Sequence, residues 1–354
     1  MKPGTTASPK NSAPASSPRR ILRILGIACA TASLPTASPS GESTPTALQR
    51  WDFSAPVMAT TFHIALYAAE EAPARRAAAT AFTRAQQLQA IFSDYEPNSE
   101  LNRLIRAAPD WQPASPPMLD LTQRALDLAT ATGGAFNPAS GALSRLWRRT
   151  RTVRRLPPTD RLADSLSRID WHQVEVDAPA HRLRLPTGLL LDYGGIAKGY
   201  TADEMLRLLH EAGFPRAIVR AGGDIRAGDP PPGMTGWEIK LQASADDPGT
   251  LIHLSNQAVS TSGGWHQSIE IDGRRYSHIV SPLTGLGLTQ DVSCSVIAPD
   301  ATHSDALATA FCVLGPEKGD ALRQRLAADL SLRLRWVSHS SEGEIQSRWS
   351  PSPP

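Results

Sequence analysis

The segment Asp305-Ala-Leu-Ala-Thr309 places a carboxylate and a hydroxyl four residues apart. It follows the apolar run Val292–Ala298, which predicts a strand, and it has the composition of a helix start. Residues four apart on a helix share one face, with Cβ atoms about 5–6 Å apart, and both oxygens are hard donors suited to Mg²⁺. The same pattern also fits an aspartate that only caps a helix. The segment therefore predicts either a metal site or a helix cap.

Two glycine-rich segments each follow a predicted strand. Asp192-Tyr-Gly-Gly-Ile-Ala-Lys-Gly-Tyr200 leads into a helix predicted over Thr201–Glu211, and Ala221-Gly-Gly-Asp-Ile225 is a second glycine turn. Glycines let the backbone approach a ligand closely, and Lys198 could meet a phosphate as a point charge. The GxxxxGKS/T spacing of a P-loop is absent. Plain turns, one with a surface lysine and one with Asp224, are the alternative.

One histidine lies in a polar segment that could belong to a site. His278 is part of Tyr276-Ser-His-Ile-Val-Ser-Pro-Leu-Thr-Gly285, which follows Thr261-Ser-Gly-Gly264 along the chain. It could act as a general base or donate a hydrogen bond to a phosphate, although a lone histidine is more often structural. Ser262 is not part of a GxSxG turn and no Ser-His-Asp order is present, which disfavours a serine hydrolase.

Two aromatic residues could stack on a planar ligand. Phe136 lies in Ala135-Phe-Asn-Pro138, after the end of a predicted helix, and Tyr95 lies in a polar loop that starts at Phe92. Both rings could instead belong to the core.

Arginines are concentrated around Trp147 in the segment Gly141–Arg155. The cluster is either a solvated face or a contact for an anionic partner, and the lack of interleaved aromatic residues favours the solvated face. Its members are Arg145, Arg148, Arg149, Arg151, Arg154 and Arg155.

Composition argues against several classes of protein. The chain has 354 residues, of which 41% are hydrophobic and 20% charged, enough for one large globular domain or two modest ones. Its net charge of only +2 argues against binding nucleic acid through phosphate neutralisation. Cys29, Cys294 and Cys312 form no CxxC pair, and the nine histidines form no HxxxH or HxH. A zinc site or a histidine-built metal site is therefore not expected.

Strands and helices are mixed without a strict βαβ rhythm, which favours an α+β fold; a mixed or antiparallel sheet core flanked by helices is what the family resemblance described below implies. Apolar alternation predicts a strand over Pro56–Ala68 and a short one over Leu189–Asp192, and helical periodicity predicts helices over Ala74–Phe92 and Pro117–Thr132. We expect a single domain over residues 51–345 and a disordered Pro/Ser-rich tail over residues 346–354.

Residues 1–50 are rich in Ser, Pro, Thr and Ala and too polar to pack. Within them, Arg19-Arg20 precede the apolar stretch Ile24–Leu34, which has the form of a secretory signal and is too short to span a bilayer. Cys29 follows Gly-Ile-Ala and partly resembles a lipoprotein cleavage site. We expect export to the periplasm, a flexible tether from about Pro35, and an inner-membrane anchor if Cys29 is lipidated. A disordered tail with a few apolar residues is the alternative.

Taken in order, these segments resemble the ApbE family of flavin transferases, the FAD:protein FMN transferases. The resemblance runs from about Met58 to Gly315. Any single motif is weak, whereas the ordered set is specific. The motifs are Met58-Ala-Thr-Thr61, Ser93-Asp-Tyr95, Gly134-Ala-Phe-Asn-Pro138, Asp192 to Tyr200, Gly222-Gly-Asp224, Thr261-Ser-Gly263, Ser277-His-Ile279 with Pro282 and Thr284-Gly285, and Asp305-Ala-Leu-Ala-Thr309.

The resemblance implies a role for each candidate residue. Asp305 and Thr309 would bind Mg²⁺ together with the backbone carbonyl of Gly195, and His278 would act in the transfer. The acceptor would be a Thr or Ser in a flavinylation motif of an extracytoplasmic protein, such as a respiratory complex subunit, and nucleic acid is not expected as a partner. The FAD site would be lined by Met58, Tyr95, Ala135, Phe136, Asn137, Asp192, Lys198 and Ile279.

The chain departs from the family pattern at three positions. Asn137 and Ser281 replace aspartates, and Ala59 replaces a glycine. The loss of two carboxylates could shift metal affinity, substrate preference or acceptor choice. Three functions stay open: Mg²⁺-dependent FMN transfer to a protein, an Mg²⁺-dependent FAD pyrophosphatase giving FMN and AMP, and a non-enzymatic flavin-binding protein of the envelope. The intact pair of Asp305 and Thr309 argues against the last.

Overall fold

The computed structural model describes residues 47–244, 246–264, 267–339 and 344–351. Within these ranges the strands are β1 (Gln49–Val57), β2 (Thr60–Ala68), β3 (Gln112–Pro113), β4 (Glu175–Asp177), β5 (Arg182–Arg184), β6 (Ala217–Ala221), β7 (Asp224–Ala227), β8 (Trp237–Leu241), β9 (Thr250–Leu254), β10 (Ala258–Gly263), β11 (Ser268–Ile271), β12 (Arg274–Ser277), β13 (Val292–Ala298), β14 (Arg333–His339) and β15 (Ile345–Ser350). The helices are α1 (Glu71–Phe92), α2 (Glu100–Arg106), α3 (Pro116–Ala131), α4 (Gly141–Val153), α5 (Thr159–Leu166), α6 (Ala197–Glu211) and α7 (Ala301–Leu326).

The core of the fold is an eight-stranded sheet with the order β1-β2-β6-β7-β10-β13-β14-β15. Every neighbouring pair in this sheet is antiparallel. The predicted α+β fold with an antiparallel sheet and flanking helices is therefore confirmed. Three smaller sheets, β3-β5-β4, β8-β9 and β11-β12, lie beside it.

The two faces of the central sheet are covered by different elements. Along β2, Phe62, Ile64 and Leu66 belong to one apolar cluster while the intervening Ala65 belongs to another, because successive side chains of a strand point to opposite faces. The first face packs against α1, α6 and α7. The second packs against the hairpin β8-β9, with Trp237 in its cluster.

Alanines form the packing face of α1. The buried residues Ala74, Ala77, Ala78, Ala81 and Ala85 recur at helical spacing. Their small side chains allow close contact with α6, which in turn contacts α7. The helix that carries Lys198 is thereby held between two others.

The predicted strand over Pro56–Ala68 is confirmed over Thr60–Ala68, which is β2, but its start is wrong because the chain turns at Met58 and Ala59. Met58 and Ala59 connect β1 to β2, which pair from Gln49 with Ala68 to Val57 with Thr60. Both turn residues have positive φ, 50° and 57°, and apolar alternation gave no sign of a turn there because neither is glycine. Left-handed backbone costs an ordinary residue about 1–2 kcal/mol, which gives a physical reason for the glycine that the family pattern has at position 59.

Two further boundaries differ from the prediction. Leu189–Asp192 is not a strand but contributes one isolated bridge, from Leu190 to Ser140. Helix α6 begins at Ala197 rather than Thr201, because the Ala197 N–H already bonds to the carbonyl of Tyr193 at 2.8 Å. Lys198 consequently lies in the first turn of a helix rather than in a loop.

The predicted disordered tail over residues 346–354 is wrong for residues 346–350, which lie in β15. Six residue pairs join this strand to β14, from Leu334 with Ser350 to His339 with Ile345. Trp349 packs against the apolar cluster beneath β8-β9 and lies 5.0 Å from the Arg333 guanidinium. The prediction failed because the segment is rich in Ser and Pro, although it forms an edge strand whose Trp349 packs against the core. Residues 352–354 lie outside the described ranges.

Residues 1–46 also lie outside the described ranges, and with them the predicted signal, the lipidation at Cys29 and most of the tether. Across the described part of the chain, we find no helix with both the length and the apolar character needed to cross a membrane.

Candidate functional site

A cavity of about 650 Å³ lies between the β1-β2 turn, α4, the segment before α6, the end of β10 and α7. It brings together residues from across 250 positions of sequence, and every residue that the sequence assigned to the site lines it. These residues are Met58, Tyr95, Ala135, Phe136, Asn137, Asp192, Gly195, Lys198, His278, Ile279, Asp305 and Thr309.

One wall of the cavity carries Lys198 between two buried carboxylates. The Lys198 Nζ lies 2.6 Å from Asp224 Oδ2 and 3.3 Å from Asp305 Oδ2. Asp224 is 3% exposed and Asp305 is 4% exposed. One ammonium between two carboxylates leaves the cluster with a net charge of −1.

The pKa values of Asp305 and Lys198 are both raised, as expected for a cluster with an excess of negative charge. Burial, followed by repulsion from Asp224, raises the pKa of Asp305 above its ordinary value. Burial opposes the charge on Lys198, yet attraction to Asp224 and Asp305 raises its pKa. The contact between Lys198 and Asp224 is an ion pair without hydrogen-bond geometry, so Asp224 Oδ2 accepts no hydrogen bond within the described residues. A further cation beside these carboxylates would be stabilised.

The position of Asp305 depends on the contact between α6 and α7. Asp300, and not Asp305, is the N-cap of α7, since its carboxylate accepts the His303 N–H at 2.8 Å. This finding excludes the alternative in which Asp305 only caps the helix. Asp305 lies one turn further on, where its Oδ2 accepts the N–H of Gly199 at 3.0 Å.

Thr309 lies one helical turn after Asp305 and faces the segment before α6. A Cβ on Gly195 would be 3.3 Å from Thr309 Oγ1, so the backbone of Gly195 passes directly beside this hydroxyl. Ser262 of β10 approaches from the other side, with its Oγ 3.3 Å from Thr309 Oγ1. Carboxylate, hydroxyl and backbone carbonyl are all hard oxygen donors, which fits Mg²⁺ rather than a softer metal.

Within the described residues, no group of three or more His, Cys, Asp or Glu side chains forms a metal site. The predicted ligand set does not require such a group, because it combines one carboxylate with a hydroxyl and a backbone oxygen. The uncompensated charge of Asp224 and Asp305 is the observation that supports a cation here.

At the cavity mouth, which we define by Tyr95, Arg148 and Arg151, a guanidinium joins two acidic side chains. Arg148 hydrogen-bonds to Asp94 and lies 3.9 Å from Asp192 Oδ2. Burial, and then the charge of Asp192, raises the pKa of Asp94. The Arg148 guanidinium also lies 4.2 Å from the centroid of the Tyr95 ring. Tyr95 is 73% exposed and therefore not a core residue.

Phe136 and Asn137 form a part of the cavity wall that carries no charge. Phe136 is buried in the main apolar cluster and still lines the cavity. Asn137 Nδ2 donates to the carbonyl of Ile169 at 2.9 Å, and its Oδ1 accepts the Ala139 N–H at 2.8 Å. A carboxylate could not donate to Ile169, so asparagine suits this loop where the family pattern has aspartate.

His278 is exposed, next to the buried Ile279. Its backbone N–H donates to Gln267 at 2.8 Å, and the N–H of Ile279 donates to Ser277 Oγ at 3.0 Å. Trp147 of α4 holds the same segment by donating its Nε1–H to the carbonyl of Ser277 at 3.0 Å. The histidine is thus presented to the cavity from a segment fixed by α4.

Ser281 is the second position where the family pattern has aspartate. Its Oγ accepts the Leu283 N–H in a turn.

Gln89 positions two cavity segments and was not predicted from the sequence. Its Oε1 accepts the N–H of Met58 at 2.6 Å, and its Nε2 donates to Glu96 Oε1 at 2.7 Å. One side chain from α1 therefore connects the Met58 turn to the loop of Tyr95. Since Gln89 and Met58 are 31 residues apart, no local pattern could have revealed the link. The pairing of Asp224 with Lys198 was likewise not predicted.

A second cavity, of about 480 Å³, contains none of the predicted residues. One of its acids, Asp203, is already engaged by the N–H groups of Ala301 and Thr302 at 2.9 and 2.8 Å and by Arg226 at 3.0 Å. Asp203 therefore connects α6 to the start of α7. The first cavity is the candidate active site, because it contains all the predicted site residues.

The chain is similar to known flavin transferases. A FAD:protein FMN transferase of Treponema pallidum is 36% identical over 266 residues, covering 68% of this chain and 72% of the relative. A FAD:protein FMN transferase of Klebsiella pneumoniae is 28% identical over 304 residues, covering 81% and 83%. The crystal structure of the Pseudomonas stutzeri flavinyl transferase ApbE in its apo form superposes with a TM-score of 0.77 at 26% identity, covering 86% of this chain and 95% of that one.

The profile of the ApbE family matches residues 58–332, which include every residue that lines the candidate site from Met58 to Thr309. This chain therefore belongs to the ApbE family.

Proposed function

We propose that the protein is a FAD:protein FMN transferase, which moves FMN from FAD to a Thr or Ser hydroxyl of an acceptor protein. The observation that carries the proposal is that all twelve residues assigned from the sequence and the family resemblance line one cavity. The acidic and basic groups needed to handle a pyrophosphate, Asp305 and Lys198, lie in that cavity in direct contact.

The reaction exchanges one phosphorus–oxygen bond for another. The acceptor hydroxyl oxygen bonds to the FMN phosphorus of FAD while the bond from that phosphorus to the bridging oxygen breaks. AMP leaves with the bridging oxygen, and the proton of the hydroxyl is released. Such transfers depend chiefly on positioning and on stabilising charge at the phosphoryl oxygens.

Asp305 and Thr309, with the backbone carbonyl of Gly195, would hold Mg²⁺. When bound, the ion supplies positive charge that stabilises the phosphoryl oxygens and the leaving AMP. Lys198 adds a second positive charge at the same phosphates. Lys198, held by Asp224, presents a fixed ammonium to the same phosphates. Its two carboxylate partners keep it protonated at neutral pH, because they raise its pKa.

His278 is placed to take the proton of the acceptor hydroxyl. It is exposed while lining the cavity, so a segment of another protein can reach it. A neutral imidazole is the form that accepts a proton. Tyr95 and Phe136 offer aromatic surfaces for the flavin or adenine ring.

The exposure of His278 also favours a second candidate function. Water can reach the same position as an acceptor hydroxyl, and its attack would yield FMN and AMP. The protein would then be an FAD pyrophosphatase that uses the same residues.

Chromatography of the products separates these functions. The full-length protein is mixed with FAD, Mg²⁺ and a candidate acceptor domain, and AMP, free FMN and acceptor-bound flavin are quantified. Equal amounts of AMP and labelled acceptor support the transferase. AMP with an equal amount of free FMN supports the pyrophosphatase, and bound FAD without AMP supports a flavin-binding protein.

The site of action proposed for the protein is outside the cytoplasm. The Arg19-Arg20 pair followed by the apolar stretch Ile24–Leu34 supports export, and Cys29 is the position at which a lipid would be attached. The acceptor would then be an extracytoplasmic protein or domain, for which a respiratory complex subunit with a flavinylation motif is the expected type. Cell fractionation of the wild-type protein and a Cys29→Ser variant tests both statements.

A further inference from the structure

Helix α4, which lines the cavity, and the two residues after it carry arginines that the proposed reaction does not use. We call Arg145, Arg149, Arg151, Arg154 and Arg155 the arginine surface. Arg151 lines the cavity mouth, and the other four are exposed. Arg148 differs from them, because it is paired with Asp94.

The arginine surface has no acidic partner in the part of the chain that the structure describes. Several arginines on other helices have one, such as Arg84 with Glu204 and Arg124 with Asp120, whereas none is found for Arg76 of α1 within the described residues. The sequence of α4, Gly141–Val153, contains no Asp or Glu at all. Five positive charges are therefore left for an external anion, on and directly after the helix that also lines the cavity mouth.

We propose that the arginine surface binds acidic side chains that flank the acceptor hydroxyl in the partner protein. This inference rests on the proposed FMN transfer. It deepens that function by naming the chemistry of the acceptor: a Thr or Ser in a segment rich in Asp and Glu. Charged rims of this kind act mainly on association rate and partner choice.

Exposed apolar side chains beside the mouth favour a polypeptide as the occupant. Tyr95 is 73% exposed, Leu283 62% and Val153 58%. Tyr95 lines the cavity, Leu283 follows the lining residue Pro282, and Val153 is the last residue of α4. Mixed apolar and charged contacts are typical of protein interfaces.

Two other anions fit the geometry less well. The phosphates of FAD must lie near Lys198 and Asp305 for the reaction to occur, on the wall that carries the ion cluster rather than on the exposed outer side of α4. An anionic membrane bound to the arginine surface would cover the cavity mouth and exclude the acceptor. The acidic peptide segment is therefore the occupant that the surface favours.

The test compares two variants of the full-length protein. Arg149→Glu/Arg155→Glu reverses two charges of the surface at residues that do not line the cavity. The matched control Arg76→Glu reverses an exposed arginine of α1 for which no ion pair is found within the described residues. The probes are two fluorescent peptides with one threonine each, one flanked by Asp and Glu and the other by Asn and Gln at the same positions. FAD affinity and melting temperature are measured for each variant to establish folding.

The wild-type protein with FAD and Mg²⁺ should bind the acidic peptide at least about tenfold more tightly than the amide peptide at low salt, and the difference should shrink as salt is added. The double variant should lose this preference, and Arg76→Glu should keep it. Equal binding of both peptides by the wild type, or an unchanged preference in the double variant, would overturn the proposal. So would loss of binding to anionic vesicles in the double variant without any peptide preference in the wild type.

Failure of the proposed function has a separate signature. AMP release from FAD is measured with the same wild-type sample and a candidate acceptor domain. No AMP would refute the FMN transfer itself. AMP and labelled acceptor without any charge preference would refute only the role of the arginine surface.

Discussion

The carbonyl oxygen of Ala301 lies so close to Gly199 that a Cβ on this glycine would be 2.1 Å from it. This contact joins the first turn of α6 to the first turn of α7. Lys198 and Asp305 meet as a direct result, and the Gly199 N–H donates to the Asp305 carboxylate. The ion cluster of the site is therefore set by the packing of two helices, and it should respond to changes in that packing.

Gly199→Ala should separate the two helices. In a free helix, alanine would be more favourable than glycine by about 1 kcal/mol. Here the added methyl group overlaps a backbone carbonyl, so the variant should instead be less stable by about 1–3 kcal/mol. Urea unfolding measures the loss, and the activity should fall with it. A stability equal to or above that of the wild type would show that the helices are not packed as described.

Asp305→Asn should weaken Mg²⁺ binding and reduce turnover by at least about a hundredfold, because it removes the carboxylate of the ligand set. Asp300→Asn is a matched control on the same helix. It changes the N-cap of α7 and should leave Mg²⁺ affinity and turnover near those of the wild type. Calorimetric titration of Mg²⁺ and AMP release together check both variants. Equal Mg²⁺ affinity in Asp305→Asn and the wild type would remove Asp305 from the metal site.

Asp224→Asn should also weaken Mg²⁺ binding, by about tenfold, although Asp224 is not proposed as a ligand. The net charge of the cluster changes from −1 to 0, and Lys198 is left with Asp305 as its sole carboxylate partner within the described residues. The ammonium then competes with the cation for the same carboxylate. A calorimetric titration that gives the wild-type Mg²⁺ affinity would contradict this role for Asp224.

Gln89→Leu should raise the KM for FAD several-fold with little change in kcat. The variant loses both hydrogen bonds that connect the Met58 turn to the loop of Tyr95, and it leaves the Met58 N–H without its partner at a cost of about 1–3 kcal/mol. Gln89→Glu keeps an acceptor for Met58 but places a carboxylate beside Glu96, so its KM should be intermediate. Steady-state kinetics that show a fall in kcat with an unchanged KM would argue against a positioning role.

Asp247→Asn should destabilise the protein in a pH-dependent manner. Both oxygens of Asp247 accept hydrogen bonds from the buried Arg335 at 2.8 Å, which hold the pKa of this carboxyl below its ordinary value. Its stabilising effect is therefore complete above the unfolded pKa of about 4 and is lost as the pH falls towards the folded pKa.

The difference in unfolding free energy between the wild type and Asp247→Asn should be about 3–5 kcal/mol at pH 7, because a buried charge loses its partner. It should shrink below about pH 4. Asp164→Asn, which breaks the exposed pair with Arg168, should cost less than about 1 kcal/mol. A constant difference from pH 7 to pH 3 would contradict the depressed pKa of Asp247.

The sequence predicted which residues line the cavity better than it predicted the strand boundaries. Asp305 and Thr309 were identifiable because both lie on one helix, where spacing alone defines a shared face. The other residues were recognisable as an ordered set of motifs, which a family resemblance supplies. Sequence order alone could not predict that Met58 and Asp305 would line the same cavity, because their proximity depends on the pairing of β1, β2 and β6 in the central sheet.

Errors arose where the determining interactions are distant in the chain. The turn at Met58 and Ala59 has no glycine, and it is held in part by Gln89 from another element. Strand β15 looked like a tail because its partner β14 and the contact of Trp349 with Arg333 cannot be read from local composition. The sequence left Asp224 open between a ligand site and a plain turn, because its ion pair with Lys198 forms only after α6 packs against the sheet.

Intact-mass measurement of the acceptor distinguishes FMN transfer to a protein hydroxyl from hydrolysis of FAD in the same cavity. A candidate acceptor domain is incubated with the full-length protein, FAD and Mg²⁺, in parallel with the same domain carrying Thr→Val at its acceptor position. The domain that carries the threonine should gain the mass of one FMN phosphoester. That gain should be absent with the valine domain, with chelator and with the His278→Ala enzyme. A domain of unchanged mass in the presence of bound FAD and released AMP would contradict the transfer and leave a pyrophosphatase.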